Sequence, residues 1–154
     1  MSALAAEIDK LPSNQATMEL NEEQKKALAL NALTVEGTVI IQGPPGTGKS
    51  HLLAKGILPQ MLRNHDRVLV ICNSNAALDE LLTKVNDQQD YGSQELIRAG
   101  FEKSIGEDVL NFFVADKDLE VQLSLRQQGG NGFVVFTKFS LVAALAELAS
   151  GGAR

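Results

Sequence analysis

The pattern G-x-x-x-x-G-K-[ST] is completed by Gly43-Pro44-Pro45-Gly46-Thr47-Gly48-Lys49-Ser50, directly after the apolar run Thr38-Val39-Ile40-Ile41. Glycines at this spacing let the backbone curl until successive N–H groups point inward. A helix starting at the end of the curl adds its positive N-terminal pole to the cradle. The flanking residues predict that arrangement, with a strand over Thr38–Ile41 and good helix formers in His51-Leu52-Leu53-Ala54-Lys55. A triphosphate fits such a cradle. Lys49 is expected to set a point charge between its β- and γ-phosphates, and the Ser50 hydroxyl to ligate the accompanying Mg²⁺.

With 154 residues, 44% of them hydrophobic, the chain can bury one core, as a single domain or part of a larger one. A net charge of −5 argues against a highly basic nucleic-acid coat protein and leaves a local basic groove open. One cysteine, Cys72, excludes an intrachain disulfide and provides no cluster for structural zinc, which suits a reducing compartment. There is no basic segment leading into a long apolar core at the N-terminus, and no apolar run of membrane-spanning length. The expectation is a soluble intracellular protein, cytoplasmic or nuclear, without a membrane partner.

In chain order, residues 1–19 read as a leader with at most a weak helix, Leu4, Ile8 and Leu11 falling at helical spacing before Pro12. Asn21 can cap a helix whose Gln24 sits where its side chain reaches back. Gln24 thus has two readings, a capping-box residue or an amide that holds an adenine edge. The helix after Ser50 should run to about Arg63 with a kink or break near Lys55, forced by Gly56 and Pro59. Asn64-His65-Asp66 reads as a turn, with His65 a solvated loop residue. Arg67–Cys72 reads as a buried strand, and strand, helix, strand implies a parallel sheet. Asn73-Ser74-Asn75 caps the next helix, whose Leu78, Leu81, Leu82 and Val85 form one apolar face. That triplet lies past the carboxyl end of a strand, where ligands bind in open parallel sheets, so capping and ligand contact both remain open for Ser74 and Asn75. Glu95–Gly100 suits a short strand. Between Gly106 and Arg126 the pattern is mixed: Val109-Leu110 and Phe112-Phe113 suit a helix, while Leu119, Val121, Leu123 and Leu125 alternate as a strand does. Phe133–Thr137 is another buried strand, and a last helix is expected from Ser140 to Ala149.

Together these stretches resemble the first RecA-like domain of superfamily 1 helicases, in the nonsense-mediated-decay, senataxin and Aquarius-like branch. Leu20–Gln24 looks like the family's Q motif, Gly43–Ser50 its motif I, and Val70–Asp79 its motif Ia. Leu96–Gly100 and Val134–Thr137 look like two further strands, so the similarity covers roughly residues 20–140. The resemblance implies an α/β P-loop NTPase fold of RecA type, a parallel sheet with flanking helices, over 20–154, with a variable insertion at about 101–131. It implies ATP and Mg²⁺ as ligands. Nucleotide contacts would come from Gln24, Gly43, Pro44, Pro45, Gly46, Thr47, Gly48, Lys49, Ser50 and His51, with Lys49 and Ser50 serving catalysis. Ser74, Asn75 and Thr137 become contacts to single-stranded RNA or DNA, and the remaining helicase domains become partners. Gly-Pro-Pro-Gly-Thr-Gly-Lys is shared with AAA+ ATPases, so the helicase reading depends on Gln24 upstream and the Ser-Asn helix downstream.

One departure qualifies this. The family carries an apolar strand ending in Asp-Glu soon after the Thr137 position, whereas Asp79-Glu80 here lies on an amphipathic helix. The sequence therefore reads as the N-terminal fragment of a helicase motor, lacking that pair and the arginine fingers and expected to be inactive in turnover. A non-catalytic nucleotide-binding or interaction module and an AAA+ fragment are the alternatives.

Overall fold

Pro59 cannot donate to the carbonyl of Lys55 and its ring crowds that oxygen, so a straight α-helix after the phosphate loop is excluded by covalent structure alone. In the computed structural model, which describes residues 2–11, 17, 19–44, 46, 48–89 and 91–138, the chain meets this by widening. Helix α3, Lys49–Leu52, passes into a π-helical turn, Leu53–Ile57, in which the N–H of Leu58 reaches back to the carbonyl of Leu53. Helix α4, Leu58–Arg63, then resumes the ordinary winding. The expected break near Lys55 is thus a π turn.

The chain divides into two compact units, Met1–Pro59 and Gln60–Arg154. In the first, α1 (Ala3–Asp9) starts at Ser2, whose hydroxyl oxygen accepts from the N–H of Ala5. α1 packs on α2, Glu22–Leu33. Leu28 of α2 meets Leu20 and Leu52 around Gly56, where the missing side chain is what lets them close.

The strand expected over Thr38–Ile41 is absent. These residues have no regular structure, and Ile40 is 86% exposed. A strand exists only where a neighbour completes its hydrogen-bond ladder, and the four strands of the sheet pair among themselves, all within the second unit.

There, β1 (Arg67–Cys72) leads into α5 (Asn75–Gln89), and a single turn, α6 (Gly92–Glu95), into β2 (Leu96–Gly100). Two 3₁₀ turns, Glu102–Ser104 and Glu107–Phe112, precede β3 (Phe113–Ala115), α7 (Asp116–Gly129) and β4 (Phe133–Lys138). The order is β1-β4-β2-β3, and every pair is parallel. The α/β parallel-sheet class read from the sequence is therefore observed. The segment with mixed signals resolves as a 3₁₀ turn, a short strand and a helix.

The last of the described strands lies between the first two, so β4 is buried on both sides, and its Phe133–Phe136 are all apolar. One face of the sheet, carrying Ile97, Ala99, Phe133 and Val135, is covered by Leu119 and Leu123 of α7. Arg98, Val134 and Phe136 share the opposite face, over which α5 lies. β1 is an edge strand, and its Leu69 and Ile71 are 43% and 41% exposed. The helix expected over Ser140–Ala149 lies outside the described residues.

Candidate functional site

Two left-handed glycines shape the phosphate loop, Gly46 with φ +81° and Gly48 with φ +84°. At Gly48 no other residue fits. Beyond the backbone strain, an added Cβ would stand 2.5 Å from the side-chain nitrogen of Gln24. The carbonyl of Gly48 accepts twice, from the N–H of Leu52 at 2.9 Å and from Nε2 of Gln24 at 3.1 Å. Gln24 is itself held by a complete capping box. Its Oε1 accepts from the N–H of Asn21 at 2.9 Å, and its own N–H donates to Oδ1 of Asn21 at 2.8 Å. Of the two sequence readings the capping box is thus observed, and the same side chain also reaches the phosphate loop. The Nζ of Lys49 folds back and donates to the carbonyl of Gly43, while Ser50 is exposed and His51 half-buried. Pro45 and Thr47 lie outside the described residues. A cleft of about 500 Å³ opens here, lined among others by Gln24, Ala27, Ile41, Gly43, Pro44 and Lys49. That size, with apolar Ala27 and Ile41 beside amide and ammonium groups, suits a small charged ligand with a flat apolar part.

In the second unit the parallel strands end at one edge, where Ile71 and Thr137 are in register. Just past β1, the hydroxyl oxygen of Ser74 accepts from the N–H of Ala77 at 3.0 Å, an N-cap for α5. Asn75 follows as the first helical residue and is half-buried. Its Oδ1 accepts from Nη2 of Arg98 at 3.0 Å. Arg98 has a side chain only 1% exposed; its Nε donates to Oδ1 of Asp79 at 2.7 Å and its Nη1 to the carbonyl of Ala99 at 2.6 Å. The other oxygen of Asp79 accepts from the N–H of Gly106 at 2.9 Å. Asp79 thus joins α5, β2 and the segment before β3. Thr137 is fully buried and its hydroxyl donates to the carbonyl of Lys138 at 3.4 Å.

Residues 19–140 match the family model described as AAA domain. The chain belongs to this family. Among similar proteins is the probable helicase senataxin of Homo sapiens, 34% identical over 61% of this chain and 5% of that protein. The DNA polymerase alpha-associated DNA helicase A of Schizosaccharomyces pombe is 33% identical, over 76% of this chain and 16% of that protein. An uncharacterized ATP-dependent helicase of Methanocaldococcus jannaschii is 32% identical, over 59% and 13%. The chain thus spans a small part, 5% to 16%, of these relatives. Family and relatives together support a senataxin-like superfamily 1 helicase N-terminal region.

For this AAA domain the structure brings together Gln24, Gly43, Pro44, Gly46, Gly48 and Lys49 in one cleft, and Ser74, Asn75 and Thr137 at one sheet edge. Sequence reasoning missed Arg98 and the linking role of Asp79. A signal was there: an arginine inside the apolar strand Leu96-Ile97-Arg98-Ala99 is almost never buried unless paired, so it demands partners. Among the described residues no group of His, Cys, Asp and Glu could hold a metal ion, and no helix is long and apolar enough to cross a membrane.

Proposed function

We propose that this chain is the nucleotide-binding part of an ATP-dependent RNA or DNA helicase motor, taking Mg·ATP on Gly43–Ser50 and offering Ser74 and Asn75 to the backbone of a single strand. The carrying observation is that Gln24 and Lys49, far apart in sequence, line one cleft, with Gln24 hydrogen-bonded to the phosphate loop itself. Lys49 now donates to the neutral carbonyl of Gly43, and exchanging that acceptor for anionic phosphate oxygens is favourable because it adds charge–charge attraction to the hydrogen bond. After its two side-chain bonds the Gln24 amide keeps one N–H and one lone pair, the complement of an adenine edge. Pro45, Thr47 and His51 complete the proposed phosphate contacts. The donor set fits a magnesium nucleotide: backbone N–H groups and an ammonium for the phosphates, and the exposed Ser50 hydroxyl for the ion. Bound Mg²⁺ supplies neutralisation of charge on the β- and γ-oxygens. Thr137 contributes by shaping the strand end beside Ile71. The remaining domains of the motor are the expected protein partners, in an intracellular, cytoplasmic or nuclear setting.

Titration calorimetry with Mg·ATP tests the reading. Lys49→Ala is expected to lower affinity at least about tenfold, the worth of a charge-assisted contact to phosphate. Equal binding by both proteins would remove Lys49 from the site.

A further inference from the structure

A guanidinium has only donors, so the side-chain atom of Asn75 that faces Arg98 must be its oxygen. This decides which way the carboxamide is turned. With Oδ1 at 3.0 Å from Nη2 of Arg98, the Nδ2 group, with two N–H donors, is the end left for a ligand. Ser74 is turned the same way: its oxygen accepts from Ala77, and the hydroxyl hydrogen is left to donate. Both residues therefore present donors to an acceptor-only partner, which describes the oxygens of a phosphodiester and not the mixed edge of a base. Arg98 itself is held on three sides, by Asp79, the carbonyl of Ala99 and Asn75, and Asp79 is braced in turn by the N–H of Gly106.

We propose that Arg98 is a positioning residue for nucleic-acid binding: buried out of a ligand's reach, it orients the carboxamide of Asn75 so that its amine end faces phosphate. This rests on the single-strand reading above. A lysine can keep the charge near Asp79 but cannot fork to Asn75 and Ala99 as well.

The test uses the full chain and a short fluorescein-labelled oligouridylate, with affinity read from anisotropy at low salt and folding from circular dichroism. Asn75→Ala should weaken binding about tenfold. Arg98→Lys should weaken it comparably in the parent chain and hardly at all when Asn75 is already alanine, because it acts through that side chain. Independent, additive losses would overturn the positioning role and leave the single-strand reading standing. A wild-type chain that folds and does not bind the oligonucleotide would overturn that reading, and this proposal with it. If Arg98→Lys does not fold, Asn75→Asp against Asn73→Asp decides. Both add one negative charge, but only the first keeps an oxygen for Arg98 while removing the two donors. It should lose about tenfold with its fold intact, against about twofold for Asn73→Asp. Equal losses would overturn the proposal.

Discussion

Gln24 makes a helix cap and a loop contact with one amide, and the two can be separated by chemistry. Glutamate keeps an oxygen for the N–H of Asn21 but has no donor for the carbonyl of Gly48. Gln24→Glu should therefore retain thermal stability while losing preference for ATP over other triphosphates. Gln24→Ala should lose both, the cap being worth about 1 kcal/mol. Unchanged base preference in both variants, measured by competition binding, would reduce Gln24 to a structural cap. At this scale the sequence was a good guide, since a capping box and a phosphate loop are local patterns spanning a few residues. Arg98 was not legible in the same way: its partners Asn75 and Asp79 are 23 and 19 residues distant, and only the fold brings them together.

Elements were legible where period and composition agreed, and ambiguous where a pattern serves two periods. Leu119, Val121, Leu123 and Leu125 alternate, but every second alternate residue is also an i, i+4 pair. The structure uses that pairing, α7 burying Leu119 and Leu123 and leaving Val121 and Leu125 exposed. Thr38–Ile41 has strand-forming residues and no ladder, a non-local condition no window of sequence contains. The π turn was foreseen as a break, though its form depends on packing. A Cβ on Gly56 would come within 3.3 Å of methyl groups of Leu20 and Leu28 and 3.4 Å of Leu52. Alanine gains about 1 kcal/mol in helix propensity, while overpacking a core costs about 1–3 kcal/mol. Gly56→Ala is thus expected to destabilise by about 1 kcal/mol in urea unfolding. A net gain would show that the leucines give way.

For the whole molecule, burial raises two titrating groups. Covering lifts the Cys72 thiol, with Arg98 opposing it. It also lifts the Tyr91 hydroxyl, with Arg63 lowering and Glu95 raising to a smaller extent. Since both fold best neutral, their contribution is complete below the ordinary values of 9.0 and 10.0 and is lost as pH rises through the higher folded values. The urea midpoint should therefore fall above about pH 9. The Tyr91 oxygen is buried and has no hydrogen-bond partner among the described residues. Tyr91→Phe should accordingly add about 1 kcal/mol at neutral pH and shorten the alkaline decline to the part due to Cys72. A destabilised Phe variant would mean that the hydroxyl is satisfied in solution. The position of β4 bears on how the molecule comes into being. β1 and β2 do not bond to each other; each bonds to β4, which is the last of the described strands to leave a ribosome. At about 5–20 residues per second, several seconds separate the emergence of β1 from that of β4. Throughout that interval β1 and the β4-facing edge of β2 have no mate, a window in which a chaperone has something to grip.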